Sequence, residues 1–326
     1  MKLNAASFAR ATALMLMVLH WTPADAAEPY PSRPVRLIVG AAPGGGTDFV
    51  ARVIMSDLSQ GLGSPVVVDN RGGAAGTVAG ELVAKASPDG QTLLLISGNF
   101  STFPSLYPHL SYDPIKDLAP ISNLGATPLV VVVNPAVPAK TVKELIDYVR
   151  TRAGQINYAA PGVGSMGHLA AELFKRTGQV EMEHIAYKGG GPAITALLGG
   201  EVQLYFSTVP AAIVQAKAGR LRAIATTGQK RSRAFPDLPT LGESGLPGYD
   251  VTVWFGLFAP AETAKTIINL LYKKSAEVMS NESVANRLLA EGVESNASSP
   301  DQFRAQIERE NRKWADVIRA ANIKAN

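Results

Sequence analysis

The chain reads as an α/β protein of two lobes, built from mostly parallel sheets flanked by helices. Three observations predict this: short apolar strands alternate with helix-period segments, glycine-rich turns join strand to helix at two distant places, and about 300 residues exceed what one hydrophobic core usually serves. The strand-like runs are Val35 to Val39, Val66 to Asp69, Leu93 to Ile96, Leu129 to Val133, Glu183 to Tyr187, Val202 to Phe206 and Leu221 to Thr226. Between them, Ala51 to Leu58, Ala75 to Lys85, Val142 to Thr151, His168 to Arg176, Ala193 to Leu198 and Pro210 to Lys217 carry apolar residues at helical spacing. Strands and helices that alternate over short links favour parallel pairing.

The N-terminus has a separate purpose. Lys2 and Arg10 precede the apolar stretch Ala11 to Leu19, and Ala24-Asp25-Ala26 offers a small-residue cleavage site, so residues 1–26 read as a secretory signal and the mature chain begins at Ala27. The apolar stretch is far short of the ~20 residues that span a bilayer. Removing residues 1–26 takes away Lys2, Arg10 and Asp25 and lowers the formal charge of +4 by one. Basic residues are scattered, apart from Lys230-Arg231-Ser232-Arg233, and do not interleave with aromatics, which argues against nucleic acid. The absence of cysteine excludes disulfides, thiolate metal sites and a cysteine-linked lipid anchor. An exported, unanchored, disulfide-free chain points to the bacterial periplasm, with no cofactor, and to a monomer.

Two turns carry the chemistry. The first runs from Val35 to Val39 into Pro43-Gly44-Gly45-Gly46-Thr47-Asp48 and the helix Phe49 to Leu58; the second runs from Ile156 to Tyr158 into Pro161-Gly162-Val163-Gly164-Ser165 and the helix His168 to Arg176. A helix start leaves N–H groups unpaired at the positive end of the dipole, and glycine lets an anion approach them. Each turn fits the first unit of its own sheet, so an anion would be held from two sides. Leu124 to Val133 and Asp250 to Pro260 are apolar segments placed to cross between lobes, giving residues 27–124 plus 253–326 as one lobe and 125–252 as the other. Ser299, Pro300 and Asp301 start a C-terminal helix whose Phe303, Ile307, Trp314, Val317 and Ile318 form a face expected to pack on the first lobe.

Rival chemistries leave partial signatures. Gly162-Val163-Gly164-Ser165-Met166-Gly167 matches a dinucleotide fingerprint, with Glu181 and Glu183 near the distance of a ribose-binding acid, but the preceding strand is short and polar and the unit sits mid-chain. Ser165 with His168 and His184 raises serine hydrolysis, although Val163 stands where a nucleophile elbow needs glycine; the competing reading is that Ser165 caps its helix with His168 packed beside it. Pro43 to Asp48 lacks the Gly-Lys-Ser/Thr ending of a phosphate loop. The mature histidines His109, His168 and His184 are not spaced for a metal. Asp48 is either a carboxylate favourable to the helix dipole or a contact for a ligand amine, and the ring of Phe49 belongs either to cleft or to core.

Six ordered blocks carry a resemblance over essentially all of the mature chain: Val39 to Arg52, Asn70-Arg71-Gly72-Gly73-Ala74-Ala75-Gly76, Ser87-Pro88-Asp89-Gly90, Tyr158 to Ser165, Tyr187-Lys188-Gly189-Gly190-Gly191-Pro192-Ala193 and Trp254-Phe255-Gly256-Leu257-Phe258-Ala259-Pro260. They resemble the Bug (Bordetella uptake gene) family, the extracytoplasmic receptors of tripartite tricarboxylate transporters. The resemblance implies a type II-like periplasmic binding protein of Venus-flytrap form, without catalysis, that hands a small carboxylate to a membrane permease; a sensor serving a membrane kinase would begin with the same capture. It implies that Gly45, Gly46, Thr47 and Asp48 in one lobe and Gly162, Gly164 and Ser165 in the other hold the carboxylate, beside Phe49 and His168. Two segments that border the family's cleft depart from its pattern. Relatives often carry Ser/Thr-His-Ala-x-Asn-Pro where this chain has Ser97-Gly98-Asn99-Phe100-Ser101-Thr102-Phe103-Pro104, and many have aspartate where it has Ser207-Thr208. Losing an acid and gaining Phe100 and Phe103 points to a less amine-like, aromatic carboxylate.

Overall fold

The computed structural model describes residues 30–324 except Pro161 and Lys188, so the signal segment 1–26 lies outside the described residues. The chain opens with β1 (Val35–Val39), α1 (Gly46–Leu62) and β2 (Val66–Asn70), and continues through α2 (Thr77–Ala84), β3 (Thr92–Ser97) and the single turn α3 (Phe103–Leu106). β1 lies parallel between its neighbours, with Val35 opposite Val66 and Arg36 opposite Thr92. Next comes β4 (Leu118–Val133), a strand of 16 residues. Alternating elements follow: α4 (Val142–Arg150), β5 (Asn157–Ala160), α5 (Met166–Gly178), β6 (Glu183–Ala186), α6 (Gly190–Gly199), β7 (Leu204–Thr208), α7 (Val209–Lys217) and β8 (Arg222–Thr226). The return path is β9 (Thr252–Pro260), α8 (Lys265–Ser280), α9 (Glu282–Ala290), β10 (Glu294–Ser295) and α10 (Pro300–Ala320).

The strands form one curled sheet in the order β2-β1-β3-β9-β4-β7-β5-β6, with β8 and β10 also paired to β4. The expectation of mostly parallel sheets is corrected. Parallel pairing is confined to β1 with β2 and β3, and to β5 with β6 and β7. Every pairing made by β4 or β9 is antiparallel. The two anticipated crossing segments fall on these two strands: β4 pairs with strands of both halves, and β9 with β3 and β4. A strand that enters one half from the middle of the molecule must run against the strands that end there, so the crossing strands reverse the local direction.

Helices cover both faces. Val50, Ile54 and Leu58 of α1 pack with Leu37, Leu93 and Leu257 in the first half, and Leu169 and Phe174 of α5 pack with Val131, Tyr158 and Phe206 in the second. Each buried set recurs at helical spacing, which is why its period was readable. The C-terminal helix starts as its sequence requires, with a reciprocal Ser299–Gln302 capping box and Pro300 in the first turn.

Its packing differs from the expectation that the whole face lies on the first lobe. Phe303 and Ile307 join Trp254 and Phe258, whereas Trp314, Val317 and Ile318 join the cluster of Val131, Leu169 and Phe174. The helix is long enough to strap both halves of the sheet, and its apolar stripe is divided between them. The tightest point is Gly256, where an added Cβ would lie 2.3 Å from the Phe303 ring, which itself stands edge-on to Trp254 at 5.1 Å. Gly256→Ala is expected to destabilise the protein by about 1–3 kcal/mol through overpacking. Urea unfolding measures this; an unchanged midpoint would mean that β9 and α10 separate without cost.

Candidate functional site

A cavity of about 620 Å³ opens where β1, β3 and β7 end. Gly44, Gly45, Gly46, Thr47 and Phe49 line one side, so the first glycine-rich turn stands where the sequence placed it, and Phe49 both borders the cleft and packs against the first core. Gly190, Thr208 and Ala211 line another side, while Ser97, Thr127, Val253 and Phe255 form the floor between them. Another depression of about 650 Å³, beside Lys217 and Arg222, contains no residue of the glycine-rich turns.

Three helices begin on this cavity. The residues before them are Gly45 for α1, Gly189 for α6 and Thr208 for α7, and none provides a side-chain capping hydrogen bond. Glycine has no side chain to offer, and the Thr208 hydroxyl is not used on its own helix. The positive dipole ends and the first-turn amides, fewer by one in α7 where Pro210 has no N–H, are therefore free of side-chain caps.

Asp48 stands behind the first turn rather than on the cavity wall. The residue is 3% exposed, and its carboxylate accepts hydrogen bonds from the Gly44 amide at 2.8 Å, Asn70 Nδ2 at 3.0 Å and Arg52 Nε at 3.0 Å. Asn70 Nδ2 also donates to the Ala41 carbonyl at 3.1 Å, tying the turn to the end of β2. Burial pushes the Asp48 carboxyl up, but hydrogen bonds from Arg52, Gly44 and Asn70, together with the Arg52 charge, outweigh it and hold the group below its ordinary range. Of the two readings of Asp48, the geometry matches the structural one.

The second glycine-rich turn is spent internally. Ser165 Oγ accepts from the His168 amide at 3.3 Å, and His168 Nδ1 accepts from the Gly164 amide at 3.0 Å. Gly164 has φ +74°, and an added Cβ there would sit 2.5 Å from Leu106 of α3. The described cavity lining includes none of Gly162, Gly164, Ser165 and His168; the starts of α6 and α7 stand there instead. At this start the Ser165 cap takes the His168 amide and the His168 ring takes the Gly164 amide.

This geometry also excludes the Ser–His hydrolase. His168 Nδ1 is occupied by a backbone donor, and its ring stacks on His184 at 3.9 Å. Burial, then the charges of His184 and Lys175, lower the His168 pKa to about 3, so the imidazole is neutral. Ser165 has its cap in place of a base.

The remaining candidates divide. Ser97 and Thr208 line the cavity. Asn99 does not; its carbonyl accepts from Thr102 Oγ1 at 2.7 Å. Ser207 is fully buried and donates to the Thr208 carbonyl at 3.1 Å. Phe100 and Phe103 are buried against Phe258 and Trp254, so the argument for an aromatic ligand loses its premise. Sequence reasoning missed Gly190 as a site residue, although Gly189-Gly190-Gly191 follows β6 as a third glycine-rich strand-to-helix turn. Thr127, Val253 and Phe255 gave no signal, since they reach the site only through β4 and β9.

The architecture is that of a type II periplasmic-binding-protein-like solute receptor, a non-catalytic class. The model of the tripartite tricarboxylate transporter family receptor matches residues 50–323, and the chain belongs to that family. It is 38% identical to Protein BugT of Bordetella pertussis over 300 residues, 91% of this chain and 92% of BugT. An R. palustris structure with adipate shares 34% identity at TM-score 0.81, covering 91% of this chain and all of that one. MatC from Rhodopseudomonas palustris with bound malate shares 32% identity at TM-score 0.76, covering 89% of this chain and all of MatC.

Two pH effects follow from the buried groups. Asp48 has a depressed folded-state pKa, so its stabilisation is complete above the unfolded value of ~3.9 and is lost as pH falls through the lower folded value. Asp48→Asn is expected to cost about 1–3 kcal/mol at neutral pH and to remove that acid dependence. His168 takes up its proton in the unfolded chain near pH ~6.5 and in the folded chain only near pH about 3, so stability rises with pH between those values. His168→Gln should flatten the rise. Denaturation midpoints from pH 3 to 8 test both, and parallel profiles for wild type and variants would reject them.

Proposed function

We propose that the protein captures a small carboxylate in the periplasm for a membrane permease of the tripartite tricarboxylate type, gripping the anion at the meeting of three helix starts. The observation that carries this reading is the convergence of α1, α6 and α7 on one cavity without a side-chain cap on any of them. Charge-assisted hydrogen bonds contribute about 1.5–3 kcal/mol each, so three or four of them, less the cost of closing the cleft, reach the ~8 kcal/mol of micromolar affinity without an arginine clamp. The adipate and malate found with relatives are both carboxylates.

In this reading residues 1–26 are removed after Ala26, and the mature chain is a monomeric Venus flytrap whose lobes are 27–124 plus 253–326 and 125–252. β4 and β9 are its hinge strands. Gly45, Gly46 and Thr47 form one jaw, with Asp48 and Asn70 bracing it; Gly190 and Thr208 form the other. Ligand capture draws the jaws together, because an open cleft leaves the anion hydrated.

Thr208→Val is expected to weaken carboxylate binding by about 1–2 kcal/mol, and Gly46→Val to weaken it by blocking the amides. Ser165→Ala should lower stability by ~1 kcal/mol through its lost cap while leaving affinity unchanged. Calorimetry with carboxylates and their primary amides is the measurement. Equal affinity for acid and amide would sink the anion site, and an affinity loss confined to Ser165→Ala would return the second jaw to the α5 turn.

A further inference from the structure

Two glycines of the first jaw are there for different reasons. Gly44 takes φ +80°, a conformation that favours glycine. Gly46 has ordinary helical backbone as the first residue of α1, and a Cβ added to it would stand 3.6 Å from Phe255 Cε1 and Cζ, an ordinary contact. Neither backbone nor packing demands glycine at 46, and a glycine that alanine could replace without strain costs stability through the freedom it gives the unfolded chain. Gly46 is also exposed, and both it and Phe255 line the cavity. An alanine side chain would fill a gap one carbon wide between the Gly46 Cα and the edge of the ring. The amides of Gly46 and Thr47 make no hydrogen bond among the described residues. Thr47 is 5% exposed, lines the same cavity, and its hydroxyl has no hydrogen-bond partner among the described residues.

Resting on the carboxylate reading, we infer that the gap between Gly46 and the Phe255 ring is a subsite for the head of the ligand, and that these two residues select carboxylates unbranched at carbon 2. A carboxylate taken by the Gly46 and Thr47 amides and the Thr47 hydroxyl brings its carboxyl group and carbon 2 beside the Gly46 Cα. A methylene at carbon 2 fits a space that a Cβ would fill. A quaternary carbon 2 turns a methyl group onto Gly46 or the ring whichever way the chain leaves, and overpacking of that kind forces a shift. The ring has little freedom to retreat. Phe255 is 4% exposed, packs in the first core, and adjoins Trp254, which α10 holds through Glu310. Glycine at 46 is thus explained by the ligand, since the protein alone gives no reason for it.

The test is calorimetry of the mature protein with straight-chain alkanoates and α,ω-dicarboxylates, and with the same acids carrying two methyl groups on the carbon next to each carboxylate. Wild type is expected to bind the straight-chain acids about tenfold or more tightly than their dimethyl counterparts. Gly46→Ala should weaken the straight-chain acids by about tenfold while its urea midpoint stays level or rises. Phe255→Leu, which shortens the wall, should narrow the preference for straight chains by about three- to tenfold. Gly61→Ala is the control: it lies on the same helix, outside the cavity lining, and its added Cβ stands 3.5 Å from Lys274, so it should keep wild-type affinity. If wild type binds both sets alike, if Gly46→Ala keeps its affinity, or if Phe255→Leu leaves the preference unmoved, the subsite is overturned and carboxylate capture stands. An equal loss of affinity in Gly61→Ala and Gly46→Ala also overturns it. If no carboxylate binds wild type, capture falls and the subsite falls with it.

Discussion

β4 lies beside β9 from Leu118 opposite Pro260 to Pro128 opposite Thr252, and then continues alone into its pairings with β7 and β8. The two halves of the sheet are thus joined through strands that are buried along almost their whole length. Their ladder fixes where the cavity lies, because Thr127 on β4 and Val253 and Phe255 on β9 make its floor. It tolerates little change of shape: register shifts occur near Ser122 and Gly125, and at Gly125 an added Cβ would lie 2.8 Å from the Glu294 carbonyl of β10. α10 secures the crossing from outside. Trp254 Nε1 donates to Glu310 at 2.7 Å, and the helix stripe is shared between both cores.

A site for an anion made of backbone amides has an unusual requirement, since the groups that bind must be left unpaired when the protein folds. Here the starts without a side-chain cap are those preceded by Gly45, Gly189 and Thr208, while at the start preceded by Ser165 that side chain takes the His168 amide and His168 Nδ1 takes the Gly164 amide. Unpaired donors would let the turn collapse or wander, and the first turn is held by a carboxylate placed behind it. Asp48 takes the Gly44 amide, Asn70 and Arg52, and the Gly45 amide donates to the Ala42 carbonyl at 3.2 Å, so the turn is held from behind while Gly45, Gly46 and Thr47 line the cavity.

Much of the fold was legible because it depends on local periodicity. The strand-like runs from Val35 to Thr226 and the helices between them reappear in the structure, as do the crossing segments and the Ser299 cap. The first glycine-rich turn was legible for the same reason: Gly44 to Thr47 line the cavity, and a run of glycines marks a place where backbone is exposed. The direction of β4 and β9, the division of α10 between two cores, and the inward turn of Phe100 and Phe103 were not legible. Each depends on a partner far away in sequence, and hydrophobicity alone says that a residue is buried without saying against what.

The sequence by itself determined the alternation of strand and helix, the glycine-lined starts, the exclusion of thiol chemistry and, through six ordered blocks, the family. Only the tertiary structure decided which helix starts face the same space. Gly164 and Gly190 follow equally plausible strand-to-helix turns, but Ser165 and His168 take the His168 and Gly164 amides at one, and Gly190 at the other lines the cavity. A capped helix and an open one differ by a hydrogen bond whose presence depends on side-chain direction. That direction is set by packing across the whole fold, which no local stretch of sequence contains.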